Sequence, residues 1–210
     1  MKEALFIILG WLLGLLGVPI VSRIEKYYRR KDIKKAIFSE LKNTEIRLAA
    51  TYYKILMHLG IRDKSSLSWL KNIYEQHRAD CPKDILEAME KILQAPDGQF
   101  NAVTSFLKAA DNMSLGLKTF SLPFTESILE HLSVFDTEFQ KDIFEVRDKI
   151  GLLNEEIENA MFYFRLTFDP TCMNVNKDII RINLKDDYTN IQKICRGIVD
   201  KIEKILKKEA

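Results

Sequence analysis

Cysteine is scarce in this chain of 210 residues, and the spacing of the cysteines argues against a disulfide-rich protein. The three cysteines are Cys81, Cys172 and Cys195. Their number is odd and no two of them are spaced as C-x-x-C, so the sequence carries no sign of a paired disulfide framework. We therefore expect a protein that lies in a reducing compartment.

Histidine is equally rare, and the motifs of common hydrolases and metalloenzymes are absent. The three histidines are His58, His77 and His131. None follows a glutamate at the E-x-x-H spacing of helical di-iron sites, and there is no H-E-x-x-H, P-loop or G-x-S-x-G sequence. An acidic run at Glu155, Glu156 and Glu158 is typical of the solvated face of a helix. We predict a protein that is not an enzyme and that binds no metal or cofactor.

Strand signals are also missing. β-Branched runs are short, and no Asn-Gly or Asp-Gly turn lies between two alternating segments. Apolar residues instead recur at helical spacing along almost the whole chain, which predicts an all-α fold. Residues 36–210 carry a net charge of −3, so their charge does not favour binding to nucleic acid, and they are long enough for one hydrophobic core.

What the chain does have is a long uncharged segment near its start. Residues 4–21, ALFIILGWLLGLLGVPIV, carry no charge over 18 positions. A helix of this length reaches about 27 Å, close to the ~30 Å hydrocarbon core of a bilayer. No small-residue cleavage site follows it, which argues against a signal peptide, and it lacks the polar face of a core helix. We predict a single N-terminal transmembrane helix.

A strongly basic segment follows the uncharged run and predicts its orientation. Between Arg23 and Lys35, seven basic residues outnumber two acids, which gives a local net charge of +5. The positive-inside rule then places the N-terminus outside and the rest of the chain in the cytoplasm, at the inner (plasma) membrane. Nine residues are predicted to set this topology and to contact anionic lipid headgroups of the inner leaflet: Arg23, Lys26, Tyr27, Tyr28, Arg29, Arg30, Lys31, Lys34 and Lys35. We divide the chain into a membrane anchor with its basic segment, residues 1–35, and a cytosolic helical bundle, residues 36–210.

Three glycines of the uncharged run, Gly10, Gly14 and Gly17, share one face of a helix because they lie four and three residues apart. The pair Gly10 and Gly14 matches the small-xxx-small pattern that lets two membrane helices approach closely. Two interpretations stay open. The face either mediates self-association into a homo-oligomer, or it reflects the ordinary abundance of glycine in membrane helices.

Breaker residues and helical spacing divide the rest of the chain into helices. No breaker separates the anchor from Gly60, so we expect one continuous helix that ends at Gly60. Ser65 or Ser66 is expected to cap the next helix. Asn174 or Asn176 is expected to cap the last one.

The longest apolar pattern runs from Ile128 to Phe168 and contains a 4-4 step, the mark of a stutter in a coiled coil. An unbroken helix over residues 124–168 would measure ~68 Å, whereas a compact domain of this size is about 40 Å across. Either the bundle is elongated, or the helix breaks near Asp136, where Thr137 and Gln140 could form a capping box. We favour the elongated bundle, with the C-terminal helix packed antiparallel along the long one in a helical hairpin.

An aromatic group near the end of this pattern is wider than one core-facing stripe requires. It comprises Phe162, Tyr163, Phe164 and Phe168. Some of these rings must contact a second helix or a partner, so the group is either core packing or a partner-binding face.

Two functions of different classes fit this organisation. The first is a single-pass membrane-anchored interaction or scaffold protein whose cytosolic bundle docks partner proteins at the inner membrane surface. Its layout is similar to that of the single-pass coiled-coil regulators of bacterial envelope and division machinery. The second is an oligomerising membrane effector of the toxin or phage-defence type, with the bundle as its sensor. A third hypothesis is an enzyme with a site made of carboxylates and lysines that are distant in the sequence. For the first hypothesis, the sequence does not identify the partner protein.

Overall fold

The computed structural model describes residues 2–77, 82–106, 115–171 and 174–208, and of residues 2–10, 12–20, 106 and 174–175 it describes the backbone alone. Within these ranges the chain is helical, with no β-strand. The α-helices are α1 (Lys2–His58), α2 (Lys64–Gln76), α3 (Lys83–Gln94), α4 (Asp97–Phe106), α5 (Pro123–Ser127), α6 (Thr137–Leu166) and α7 (Asn174–Lys208). A 3₁₀ helix at Leu129–Val134 follows α5. The predicted all-α fold class is confirmed.

One helix, α1, links the uncharged segment to the bundle. It has 57 residues and is therefore about 85 Å long. Gly60 ends it in the left-handed conformation, with φ of 76°, which a residue without Cβ adopts without strain. The backbone N–H of Gly60 donates to Met57 O and that of Ile61 to Leu56 O, the bonding pattern of a Schellman motif. The prediction of one continuous helix up to Gly60 is confirmed.

The hydrophobic core lies between the second half of α1 and the α6–α7 hairpin. The side chains of Ile37, Leu41, Leu48, Ile55, Ile143, Leu153, Ile157, Ile191, Ile198 and Ile202 are almost fully removed from solvent. Lys201 pairs with Glu145 and Lys208 with Glu138, so residue numbers rise along α7 as they fall along α6. The predicted antiparallel hairpin is therefore confirmed.

The helix at residues 124–168 is not continuous, so the arrangement we favoured is wrong on this point. α6 begins only at Thr137, because the Asp136 carboxylate accepts a hydrogen bond from the backbone N–H of Phe139 at 2.8 Å and caps the helix. Gln140 donates from its side chain to Phe135 O, so the capping box expected from Thr137 and Gln140 does not form. The hairpin is elongated nonetheless, since the 30 residues of α6 span about 45 Å.

The start of α2 differs from the prediction. Asp63 caps α2 by accepting a hydrogen bond from the backbone N–H of Ser66 at 2.7 Å, which places Ser65 and Ser66 inside the helix instead of at its cap. α7 begins at Asn174, which places Asn176 inside the helix, and because residues 172 and 173 lie outside the described part of the chain the cap by Asn174 stays a prediction. An aspartate carboxylate accepts a stronger hydrogen bond than a serine hydroxyl, which explains why Asp63 takes the capping position.

Residues 115–122 connect the two halves of the bundle without regular structure and are fastened by side chains of α1 and α6. Asn154 of α6 accepts from the backbone N–H of Phe120 and donates to its carbonyl, both at 2.8 Å. Lys54 of α1 donates to Leu115 O. Arg47 lies over the Phe120 ring at 5.0 Å. These contacts fix where the chain enters α5.

Glu40 of α1 holds the start of α5. Its two carboxylate oxygens accept hydrogen bonds from the backbone N–H groups of Phe124 and Thr125 at 2.7 and 2.9 Å, and from the Thr125 hydroxyl at 2.6 Å. A carboxylate in this position satisfies backbone donors that no helical partner reaches and opposes the positive end of the helix dipole. The 3₁₀ helix that follows α5 is thereby placed beside the basic segment of α1.

Candidate functional site

The basic segment of α1 lies directly before the part of the helix that packs into the bundle. Residues 23–31 are exposed, whereas Ile33 packs against the core and Ile37 is fully buried. Tyr27 and Tyr28 are 64% and 59% exposed, and their rings meet edge to face at 5.8 Å. The nine residues predicted to contact lipid thus lie on a section of helix that is largely open to solvent at one end of the bundle.

A cleft separates this segment from the 3₁₀ helix. Its volume is about 560 Å³. On one side lie Arg23, Lys26, Arg29 and Arg30 of α1, and on the other His131 and Val134 of the 3₁₀ helix. Tyr27 and Ile33 complete the lining. We call this space the basic cleft.

One hydrogen bond and one longer ion pair join the basic segment of α1 to the 3₁₀ helix and the residues that follow it. An Arg29 guanidinium nitrogen lies 3.3 Å from His131 Nε2. A guanidinium has only donors, so in this hydrogen bond the imidazole nitrogen is the acceptor. At the far end Arg30 lies 3.7 Å from the Asp136 carboxylate and 5.4 Å from the centre of the Phe135 ring.

The charge of the basic cleft is only partly balanced. The hydrogen bond from the Phe139 backbone, with the nearby charge of Arg30, lowers the pKa of Asp136, so this carboxylate stays ionised. Among the described residues, no ion pair joins Arg23, Lys26 or Arg29 to a carboxylate. The part of the cleft nearest the uncharged run is therefore an uncompensated positive site.

The remaining basic residues face elsewhere. Lys31, Lys34 and Lys35 line a shallower depression on another side of α1, together with Phe38 and Lys42. The Lys34 ammonium lies 5.7 Å from the centre of the Phe38 ring. The nine predicted residues thus do not form one surface, and the sequence did not indicate this division.

The predicted aromatic group lies at the turn of the α6–α7 hairpin. We call its four residues the aromatic tip: Phe162, Tyr163, Phe164 and Phe168. Phe162 and Phe168 are 56% and 58% exposed, whereas Tyr163 and Phe164 are half-buried. The rings pair as Phe162 with Tyr163 at 5.6 Å and Phe164 with Phe168 at 5.1 Å. The aromatic tip therefore combines two half-buried rings with two exposed ones.

The predicted transmembrane helix falls mostly outside the part of the chain that is described in full. Where side chains are described, no helix is long and apolar enough to cross a membrane. Of the uncharged run at 4–21, only Trp11 and Val21 belong to that part, and both are exposed. Gly10, Gly14 and Gly17 lie on the helical backbone of α1 but outside the residues whose surroundings are described. The anchor and its glycine face stay predictions.

The cysteine Cys195 and the histidine His77 are both buried in the bundle. No three His, Cys, Asp or Glu side chains in the described parts of the chain are grouped so as to hold a metal ion. Burial raises the pKa of the Cys195 thiol to about 12, which keeps it protonated. His77 Nε2 lies 2.7 Å from Glu45 Oε2 inside the core. No sequence pattern indicates this pair, because its members are 32 residues apart in the chain.

A comparison with protein-family models, with curated proteins and with solved structures finds no match to this chain.

Proposed function

We propose that the protein is a single-pass membrane-anchored interaction protein. The uncharged run spans the inner membrane with its N-terminus outside, the basic segment lies against the anionic inner leaflet, and the helical bundle docks a partner protein from the cytoplasmic side. The proposal assigns no catalytic step and no cofactor to the chain.

The observation that carries this proposal is the continuity of α1. A single helix runs from the uncharged segment through the basic segment into the core, so the bundle has no flexible linker to its anchor. Phe38 of α1 lies against Phe139 near the start of α6. Further along both helices, Arg47 of α1 and Asn154 of α6 each contact Phe120. Residue numbers therefore rise in the same direction along α1 and α6. The aromatic tip therefore lies at the opposite end of the bundle from the basic segment, about 45 Å away along α6.

The chemistry of the aromatic tip supports a protein as the partner. Exposed Phe162 and Phe168 present rigid apolar area of the kind that forms the centre of protein interfaces. On α7 near the turn, Ile179 and Ile182 are also more than half exposed. Exposed apolar side chains of this size in one region are typical of an interaction surface.

The proposal is tested by fractionation and by site-specific crosslinking in native cells. The full-length protein should sediment with membranes and resist extraction by salt and alkali. A photo-crosslinking amino acid at Phe162 should give one discrete adduct in those membranes, whereas the same group at the exposed Asp148 of α6 should give none. Full-length protein in the high-speed supernatant without detergent would refute the anchor. Identical adducts from both positions would refute the aromatic tip as the docking surface.

The effector hypothesis proposed from the sequence rests on Gly10 and Gly14. It requires that expression of the protein collapses the membrane potential and that Gly14→Leu suppresses this effect, because a bulky side chain keeps the two helices apart. An unchanged membrane potential under strong expression would exclude it.

A further inference from the structure

The basic cleft has the composition of a phosphate site. Arginine recognises phosphate through paired N–H donors, and three of the cations lining the cleft have no carboxylate partner among the described residues. The Tyr27 ring and the Val134 side chain, both about half exposed or more, add apolar surface beside these charges. A ligand that suits both features is amphipathic and carries a phosphate.

The position of the cleft along α1 points to a lipid as the source of that phosphate. If the hydrocarbon region ends near Val21, Arg23 and Lys26 lie about 3 and 8 Å further along the helix axis. The headgroup layer of one leaflet is about 5–8 Å thick. Side chains on a helix lean toward its N-terminus, which for α1 is the membrane end, so the guanidinium of Arg29 is also directed back toward this layer.

The cleft also has a second wall that a bare basic helix would lack. His131 and Val134 come from the 3₁₀ helix, which the Glu40 contact with α5 holds in place. Arg29 is oriented by its hydrogen bond to His131. A topology signal needs only charge, whereas an oriented arginine opposite a fixed wall discriminates one headgroup position from another.

We propose that the basic cleft binds the headgroup of one anionic phospholipid, with Arg23, Lys26 and Arg29 on its phosphate and His131 positioning Arg29. This inference rests on the proposed membrane anchoring. It adds a defined lipid site to what would otherwise be a diffuse electrostatic contact.

The test is a titration of the full-length protein in neutral detergent with a fluorescent phosphatidylglycerol. The double variant Arg23→Gln/Arg29→Gln removes two charges from the cleft. The matched double variant Lys31→Gln/Lys35→Gln removes two charges from the same helix outside it. We expect the first to weaken lipid binding about tenfold and the second less than threefold. His131→Ala should weaken binding about threefold, because it removes the hydrogen-bond acceptor that positions Arg29.

Three outcomes would overturn the lipid site. Equal weakening by the two double variants would show a diffuse basic surface. Competition by inorganic phosphate at the same concentration as lipid would show a site for free phosphate. Unchanged binding in Arg23→Gln/Arg29→Gln, with native helicity by circular dichroism, would show that the cleft is not used. Membrane sedimentation of the same variants separates this result from the anchor, because a failed cleft leaves the protein in the membrane fraction.

Discussion

The polar groups buried inside the bundle are positioned by tertiary contact. Glu45 is fully buried on α1 and lies within hydrogen-bond distance of His77 at the end of α2. Loss of this partner would leave a buried polar group without its hydrogen bond, which costs about 1–3 kcal/mol. The pair therefore fixes the end of α2 against α1, and it contributes specificity of docking more than net stability.

A second acidic group, Asp187, has a raised pKa, which predicts that the stability of the protein depends on pH. Asp187 of α7 lacks a hydrogen-bond partner for Oδ2 among the described residues, and burial, with the charges of Glu156 and Asp186, raises its pKa to about 6. Folding therefore favours the protonated acid. The stability from this group is fully present below pH ~4, the unfolded pKa, and is lost as the pH rises to about 6.

Asp187→Asn should consequently stabilise the protein at pH 7.5 and have no effect at pH 4. A pKa raised to about 6 corresponds to at most ~3 kcal/mol, and partial solvent exposure reduces the expected gain to about 1 kcal/mol. The measurement is urea unfolding of the full-length protein in detergent, followed by circular dichroism at both pH values. Asp186→Asn, at an exposed neighbouring position, should give less than half of this gain. A gain of equal size at pH 4 would show that the effect is not electrostatic.

At the scale of elements, a helix end that is set by one local residue was predictable. A helix end that depends on whether a capping side chain prevails over continued helix was not. Gly60 ends α1 because a glycine adopts the left-handed conformation without strain, and that information is local. The break before α6 was harder to predict, since the apolar pattern continues through Phe135 and Phe139, both buried. The cap by Asp136 separates the 3₁₀ helix from α6. A local sequence pattern cannot show whether such a cap or a continuous helix prevails.

The contact between Glu40 and α5 yields a prediction for this scale. Glu40→Ala removes the acceptor for two backbone N–H groups, so the unfolding free energy should fall by about 1–2 kcal/mol. Amide hydrogen exchange should accelerate at Phe124 and Thr125 and through the 3₁₀ helix. Glu130→Ala, at an exposed position of the 3₁₀ helix, should change neither quantity. Unchanged exchange at Phe124 in Glu40→Ala would mean that the carboxylate does not hold α5.

The basic cleft lies beyond what the sequence can show, because its walls are distant in the chain. Arg29 and His131 are 102 residues apart, and their contact depends on Glu40, on Asn154 and on the break before α6 together. The basic segment was recognisable by charge alone. Its division into a cleft and a separate lysine-rich depression required the position of the 3₁₀ helix.

For the whole molecule, the height of the bundle above the membrane decides whether the aromatic tip can reach a partner protein away from the lipid. Because α1 is continuous and α6 runs in the same direction, the far end of α6 should lie well away from the lipid surface. Arg165 and Lys141 are both exposed on α6. Along a helix they are separated by about 36 Å. A bundle that stood upright on its anchor would hold Arg165 higher than Lys141 by nearly this distance, even with a ~20° tilt.

Fluorescence transfer to labelled lipids measures this height directly. A fluorescent amino acid at Lys141 should transfer energy efficiently to acceptor lipids in a reconstituted bilayer, and the same group at Arg165 should transfer little, because transfer falls steeply over this distance. Similar transfer from both positions would mean that the bundle lies flat on the membrane. In that arrangement the aromatic tip would contact lipid, and the partner-docking function would have to be abandoned in favour of membrane binding by Phe162 and Phe168.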